Sequence, residues 1–311
     1  MSFLNVGFGS MHYQLLECKP DAEAFTPGSP TVVFIHGLIM DNLSSWFFTV
    51  ANPVAQFANA LVYDMRGHGF TDRPPTGYGI SDHVQDLKRL VSEVVGDGPL
   101  ILVGNSFGGL IALNYAASYR DQVAGIVLID AQVNDEAWKA QMLASFSLQG
   151  EERDQMVVNQ FQNWAGRNSK RKSNKLVENA KDLVHRTSLM DDIRNDPFLD
   201  DDVLGSIPAH CFAIYGGESD ILSTAHRLER VLPNCDLEVV DGSTHSVLWE
   251  QTERVKAWIL DSIQTLIAEG TVGSEPSRST SDVALGALTG DGKAGAHSFS
   301  SARTVNESGV Y

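Results

Sequence analysis

The chain has 311 residues, of which 43% are hydrophobic and 20% are charged, and these proportions exclude a fibrous or wholly disordered protein. The formal net charge of −16 excludes nucleic acid and anionic membranes as expected partners, because phosphate binding needs clustered Lys and Arg. Three cysteines without a CxxC pair predict neither a disulfide framework nor a zinc site. The N-terminus does not resemble a leader and no apolar run reaches about 18 residues, so we expect a cytoplasmic chain. The sequence has no H-E-x-x-H or similar ligand cluster, so we expect no metal or cofactor.

Apolar runs alternate with helix-like segments along most of the chain. After an expected hairpin within residues 3–17, the apolar runs predict strands at 31–35, 59–64, 99–103, 124–130, 209–215 and 236–240. Helical spacing predicts helices at 48–57, 81–95, 107–119, 223–231 and 247–267, with Ser81 as an N-cap. Strands that are apolar throughout are covered on both faces, so the pattern predicts a doubly wound α/β fold with a mostly parallel sheet.

Two segments fall outside this alternation. Residues 132–206 are polar with helical spacing of Trp138 and Met142, which predicts a helical cap inserted into the sheet series. Residues 270–311 are rich in Gly, Ser and Thr, which predicts a disordered tail that folding does not require. The α/β core is therefore expected over residues 1–131 and 207–269.

The segment VGNSFGG places Ser106 between Gly104 and Gly108, directly after an apolar run. A nucleophile elbow needs small residues at these two positions, because the strand and the following helix come close together there. The N-terminus of that helix also favours a developing anion. An ordinary turn tolerates the same pattern, so this motif by itself leaves both interpretations open.

Motifs elsewhere in the chain favour the catalytic interpretation. The segments VVFIHGL, YDMRGHG, VGNSFGG, YGGESD and DGSTHS resemble the α/β-hydrolase family in order and spacing. The resemblance covers residues 3–267 and implies the family's fold and a serine nucleophile. Within these motifs, His36 and His68 resemble residues that pack loops rather than catalytic bases.

The resemblance implies a catalytic triad in the order nucleophile, acid, histidine. Ser106 takes the first position, Asp220 the second, and His245, which follows the last predicted strand, the third. Asp130 is the alternative acid because some family members place the carboxylate after that earlier strand. Asp220 is the preferred acid, because the GGESD loop resembles the family's acid loop and Asp130 also suits a structural role at the end of a strand.

The same resemblance implies that the backbone N–H groups of Leu38 and Phe107 form the oxyanion hole. Bulky residues near the expected oxyanion loop suggest an apolar acyl pocket, although a helix core would explain them equally well. Three residues are therefore candidates for substrate binding: Met40, Trp46 and Trp249.

A basic cluster interrupts an otherwise acidic chain. It consists of Arg167, Lys170, Arg171, Lys172 and Lys175. A solvated helix face is the simpler interpretation, and docking of an acidic acyl carrier protein or coenzyme A is the more specific one.

These observations predict a serine hydrolase that cleaves a carboxylic ester or thioester through an acyl-enzyme intermediate. An acyltransferase that passes the acyl group to an alcohol would use the same triad. The GNSFGG elbow also resembles that of hydrolases that cleave carbon–carbon bonds in ring-fission products. A ligand-binding receptor that kept the fold is a further alternative, against which the intact triad argues.

Overall fold

Eight strands form one sheet in the computed structural model, which describes residues 1–18, 28–39, 41–147 and 179–272. In chain order the strands are β1 (Ser2–Asn5), β2 (Ser10–Leu16), β3 (Thr31–Ile35), β4 (Ala60–Tyr63), β5 (Leu100–Asn105), β6 (Val123–Ile129), β7 (His210–Gly216) and β8 (Cys235–Val240). Their order across the sheet is β1-β2-β4-β3-β5-β6-β7-β8. The hairpin of β1 and β2 is antiparallel, β2 pairs antiparallel with β4, and the other neighbours are parallel. The predicted doubly wound, mostly parallel α/β fold is confirmed.

Helices connect the strands on both faces of the sheet. The described helices are α1 (Ser44–Trp46), α2 (Asn52–Val54), α3 (Ile80–Val94), α4 (Phe107–Ser118), α5 (Glu136–Ser147), α6 (residues 179–186), α7 (Leu189–Asn195), α8 (Asp201–Gly205), α9 (Leu222–Val231), α10 (Val247–Glu250) and α11 (Thr252–Val272). Four of them, α5 to α8, lie between β6 and β7, where the sequence predicts a cap. No helix in the described ranges combines the length and apolar character needed to cross a bilayer.

Each central strand contributes to two hydrophobic cores because successive side chains of a strand point to opposite faces. In β3, Val33 and Ile35 belong to the core that includes residues of α3, α4 and α9. Val32 and Phe34 belong to the core on the other face, which includes residues of α11. Burial on both faces explains why the sequence of β3 is apolar at every position.

Two helices depart from their predicted bounds near their N-terminal ends or at residues that cannot make regular α-helical hydrogen bonds. The helix expected at 48–57 is instead α1, a π-helical turn (Phe47–Ala51) and α2. Pro53 has no N–H to donate, which limits regular α-helical bonding in this segment. Helix α3 has Gly79 rather than Ser81 at its N-cap, where the Gly79 N–H donates to Asp82.

The C-terminal helix also differs in extent from the sequence prediction. The expected helix at 247–267 is divided at Gln251 into α10 and α11, and α11 continues to Val272. Helix α11 thus includes the first three residues of the tail predicted at 270–311, which corrects where that tail begins. The rest of the predicted tail and the basic cluster at 167–175 lie outside the described residues, so both stay predictions.

Candidate active site

Ser106 stands at the junction between β5 and α4 in a backbone conformation that few residues adopt. Its φ is 53° and its ψ is −118°, which places a non-glycine residue at positive φ. The Ser106 N–H donates to the carbonyl of Ile129 at 3.0 Å, and the Ser106 carbonyl accepts from Gly109 N at 3.0 Å and Gln132 N at 3.2 Å. These bonds tie the turn to the end of β6 and keep the serine in its strained geometry.

The flanking glycines are required by close backbone contacts. A Cβ on Gly104 would stand 2.5 Å from the carbonyl oxygen of Gly108, within the same turn. A Cβ on Gly108 would stand 2.2 Å from the carbonyl oxygen of Ile35, at the end of β3. The turn therefore has the tight packing of strand against helix that the VGNSFGG motif predicts.

We expect Gly108→Ala to lower the free energy of unfolding by about 3 kcal/mol, because backbone atoms of β3 would have to move away from the new methyl group. Urea unfolding at equilibrium measures the change. Gly98→Ala is the matched control, since no heavy atom lies within 4 Å of the methyl group added at Gly98, and it should cost less than about 0.5 kcal/mol. Equal effects of the two substitutions would contradict the packing of the turn.

His245 connects Ser106 to a buried carboxylate. Its Nε2 lies 2.9 Å from the Ser106 Oγ, and its Nδ1 lies 2.8 Å from the Oδ1 of Asp130. An ionised carboxylate only accepts, so Nδ1 carries the proton and Nε2 is free to accept the serine hydroxyl proton. The three residues follow β5, β6 and β8, at the carboxyl edge of the sheet, where sites form in open α/β folds.

Asp130 is held in place by groups from the end of β7 and from the loop after it. Its side chain is fully buried, its Oδ2 accepts from Gly216 N at 2.7 Å and its Oδ1 accepts from the Ser219 hydroxyl at 2.5 Å. Its φ of 43° lies in the left-handed region, which Asp tolerates better than most side chains. With the bond to His245, the buried carboxylate has three hydrogen-bond partners, which offset the cost of burying it.

The structure corrects the preferred assignment of the acid. Asp220 is exposed and accepts a hydrogen bond from the side-chain amide of Gln141 on α5, and it is Asp130 that bonds to His245. The carboxyl ends of β6 and β7 are neighbours, so both carboxylates reach the same region. The buried position of Asp130 puts its oxygen against Nδ1, whereas Asp220 contributes only a nearby negative charge.

The charges around His245 alter its affinity for a proton. Burial lowers the pKa of His245, but the hydrogen bond and charge of Asp130 and the charge of Asp220 raise it by more, so the pKa lies above the ordinary histidine value. Both carboxylates therefore stabilise an imidazolium at this position. This is the property required of a base that receives a proton from Ser106.

The loop after β3 presents backbone N–H groups beside the turn at Ser106. Leu38 follows Gly37, whose N–H donates to Asp41 Oδ2 at 3.1 Å. Within the described part of the chain, the N–H of Leu38 donates to no protein acceptor. The same holds for Phe107, the first residue of α4, whose N–H has no partner inside the helix. Both donors of the predicted oxyanion hole are thus available.

His68 stabilises this loop through a hydrogen bond to its backbone. Ile39 has a φ of 74°, a conformation that is costly for a β-branched residue, and its N–H donates to His68 Nε2 at 2.8 Å. Burial lowers the pKa of His68 to about 3, so the ring stays neutral and can accept this bond. His36 plays a related part, since its Nε2 accepts from Met65 N at 3.0 Å. Both histidines pack loops, in line with the motifs they occupy.

The candidate substrate-binding residues have different locations. Met40 lies outside the described residues. Trp46 is completely buried, with its ring 5.4 Å from that of Phe34 in the core on the α11 face, so the expectation that it contacts substrate is corrected. Trp249 is partly buried and packs against the same core. Spacing along the loop could not show which face of the sheet these rings cover.

Sequence reasoning missed the groups that position the reactive side chains. Ser219 and the Gly216 N–H orient Asp130, and the Thr244 N–H and hydroxyl donate to the Glu250 carboxylate at 2.8 Å, which fixes the loop before His245. A Cβ on Gly216 would stand 2.3 Å from the Thr244 carbonyl oxygen, so this glycine permits the two loops to touch. The sequence carries no periodic signal for such contacts between loops.

A doubly wound sheet with a hydrogen-bonded Ser–His–Asp array at its carboxyl edge defines the structural class of this protein. The sequence pattern of the alpha/beta hydrolase fold family matches residues 30–209, more than half of the chain. The chain belongs to this family.

Similar proteins include hydrolases of several kinds. A 2-(acetamidomethylene)succinate hydrolase of Mesorhizobium japonicum is 34% identical over 101 residues, which cover 32% of this chain and 35% of that protein. Lipase LipV of Mycobacterium tuberculosis is 43% identical over 114 residues, covering 36% of this chain and 41% of that protein. The matches thus span less than half the length of these curated relatives. An esterase structure from Exiguobacterium antarcticum has a TM-score of 0.67 at 17% identity, covering 85% of this chain and 99% of that chain, which shows a shared fold.

Proposed function

We propose that this chain is a serine hydrolase that cleaves a carboxylic ester or thioester through an acyl-enzyme intermediate. The observation that carries the proposal is the continuous hydrogen bonding from the Ser106 hydroxyl through His245 to the buried Asp130. Membership in the alpha/beta hydrolase fold family supports it. The names of the relatives, a succinate-derivative hydrolase and a lipase, point to hydrolysis in general rather than to one substrate.

The proposed reaction begins with attack of the Ser106 Oγ on the carbonyl carbon of the substrate. His245 Nε2 takes the hydroxyl proton as the new C–O bond forms, and Asp130 stabilises the imidazolium that results. The carbonyl oxygen becomes an oxyanion, which the N–H groups of Leu38 and Phe107 receive. Collapse of this intermediate expels the alcohol or thiol, which takes the proton from His245 and leaves the acyl group on Ser106.

In the second half of the reaction, water attacks the acyl-enzyme with His245 again as the base, and the acid product leaves. An alcohol in place of water would give acyl transfer by the same steps. A small acyl ester or thioester is thus the proposed substrate, and delivery by a carrier protein or coenzyme A is the specific form that the basic cluster at 167–175 suggests.

Apolar side chains near the turn support an acyl group as the part of the substrate that is bound. The Phe107 ring stacks on Trp138 of α5, with the ring centroids 6.3 Å apart. Leu38 and Met142 are partly buried and pack against the core to which Phe107 and Trp138 belong. Phe107 and Trp138 are themselves buried, so the exposed parts of Leu38 and Met142 supply the apolar surface, which favours an acyl chain over a charged group.

Labelling with a fluorophosphonate tests the proposal directly. The reagent reacts with an activated serine, so the wild-type protein should gain the mass of one phosphonyl group on Ser106, with loss of fluoride. Ser106→Ala should gain none, and Ser118→Ala, which alters an exposed serine of α4, should react like wild type. An unlabelled wild type, as expected of a receptor that only binds ligand, would refute the proposal. Product analysis with p-nitrophenyl esters of increasing chain length, with and without added alcohols, then separates hydrolysis from transfer.

The pH dependence of kcat/KM follows from the charge state of His245. Only the neutral ring can accept the proton of Ser106, and its raised pKa keeps it protonated to a higher pH than an ordinary histidine. We therefore expect the acidic limb of the profile to lie above the ordinary histidine value. Asp220→Asn removes one of the charges that raise this pKa and should move the limb to lower pH. An unchanged limb would show that Asp220 does not act on His245.

A further inference from the structure

Cys211 and Cys235 face each other across the last two strands of the sheet. They are directly opposite in the parallel pairing of β7 with β8, and both are free thiols. Neighbouring strands lie about 4.8 Å apart, which falls within the range of Cα separations that disulfides span. Side chains of residues paired in this way lie on the same face of the sheet, so the two thiols lie side by side, and each shifts the pKa of the other.

The two thiols differ in exposure and reactivity. Cys211 is completely buried, whereas Cys235 is only partly buried on β8, which is the terminal strand of the sheet. The neighbouring Cys211 thiol lowers the pKa of Cys235, and the same interaction together with burial raises the pKa of Cys211. Cys235 is therefore the thiol that ionises first and that a reagent from solution can reach.

We propose that Cys211 and Cys235 are a redox-sensitive pair that forms a reversible disulfide between β7 and β8 when a small disulfide such as oxidised glutathione is present. The Cys235 thiolate attacks a sulfur of the reagent, which breaks its S–S bond and releases one glutathione thiol. The Cys211 thiol then loses its proton and attacks the Cys235 sulfur, which releases the second glutathione. Two protein thiols are oxidised to one disulfide, and one glutathione disulfide is reduced to two thiols.

The location of the pair gives the bond a structural consequence. In the described sheet, β8 pairs with β7 alone, and His245 follows β8. The groups that hold Asp130, the Gly216 N–H and the Ser219 hydroxyl, come from the end of β7 and the loop after it. A covalent link between these strands would tie the terminal strand to the sheet without touching the reactive groups, so we expect it to stabilise the fold and leave the site geometry unchanged.

Mass spectrometry of the folded protein before and after incubation with oxidised glutathione tests the proposal. The oxidised protein should lose the mass of two hydrogen atoms, and digestion without reductant should yield one peptide pair joined through Cys211 and Cys235. Cys18 is buried and follows β2, near the opposite edge of the sheet, so it serves as the internal control and should remain reduced. Oxidation should raise the thermal midpoint by about 5 °C, and dithiothreitol should reverse the rise.

Two variants separate the proposed pair from general thiol oxidation. Cys211→Ala should retain glutathione on Cys235 as a stable mixed disulfide, because the resolving thiol is gone, and its thermal midpoint should not rise. Cys235→Ala should not react, because Cys211 is shielded from solvent. The proposal is overturned if wild type also stops at the mixed disulfide, if Cys235 joins two chains instead, or if both thiols stay open to alkylation after oxidant treatment. No activity measurement is involved, so the result is independent of the proposed hydrolase function.

Discussion

Ser106→Ala and His245→Ala are each expected to reduce kcat on p-nitrophenyl esters on the order of 10⁴-fold, because the nucleophile and its base are lost respectively. The double variant should cost little more than either single one, since the Ser106 hydroxyl is activated only through the 2.9 Å contact with His245. Steady-state kinetics on all three variants measure the effect. The residual rate would come from the oxyanion donors and from substrate binding.

Controls for these variants are available on the surface of the same protein. Ser118→Ala and His226→Ala replace exposed side chains of α4 and α9, and both should leave kcat within about twofold of wild type. Urea unfolding shows whether each variant is folded. Retention of more than a tenth of the activity in Ser106→Ala would assign the nucleophile to another residue.

Asp130→Asn is expected to lower kcat on the order of 10⁴-fold, while Asp220→Asn should change it by less than about tenfold. The amide of the first variant keeps the volume and tolerates the positive φ, but it cannot supply the charge that stabilises protonated His245. The second variant removes the charge of an exposed carboxylate, which raises the pKa of His245 but makes no hydrogen bond to its ring. Kinetics over a range of pH distinguish loss of charge from loss of folding.

The pH dependence of the two variants provides a second, independent test of which carboxylate bonds to His245. In Asp130→Asn the pKa of His245 should fall, because its strongest favourable interactions are with Asp130, and the acidic limb should move to lower pH than in Asp220→Asn. If Asp220→Asn were instead the more damaging substitution, the loop after β7 would supply the acid, as the sequence motifs suggest. Urea unfolding of Asp130→Asn shows whether activity is lost only because the variant is less stable, since Asp130 also accepts hydrogen bonds from Gly216 and Ser219.

Much of the fold was predictable because its strands are buried on both faces. The bounds of β3 agree with the predicted strand, and the other predicted strands of the series agree to within two residues at each end. Strand ends were harder to place, as at β5, which continues through Gly104 to Asn105. Glycine near a strand end is ambiguous in sequence, and here it continues the pairing until the turn at Ser106.

The segment around Trp46 shows that closeness to a site in sequence does not predict closeness in space. Its aromatic residues follow the predicted oxyanion loop, so proximity in sequence suggested a pocket. The chain turns at Leu43, whose N–H donates to Asp64 at 2.8 Å, and continues as short helices on the α11 face of the sheet. The direction of that turn depends on a carboxylate 21 residues further along the chain, which no local pattern encodes.

The sequence by itself determined that the chain is a doubly wound α/β protein, and its motifs taken together predicted that Ser106 lies in a strained turn after a buried strand. Both follow from local chemistry: apolar runs select buried parallel strands, and Gly104 and Gly108 permit the close approach that the turn requires. Which carboxylate bonds to His245 was decided only by the tertiary structure. Asp130 and Asp220 follow adjacent strands and end within reach of the same ring, so their order along the chain does not separate them. The burial of Asp130 and its bonds to Gly216 and Ser219 fix its oxygen 2.8 Å from Nδ1, and those contacts exist only once β6, β7 and β8 have come together.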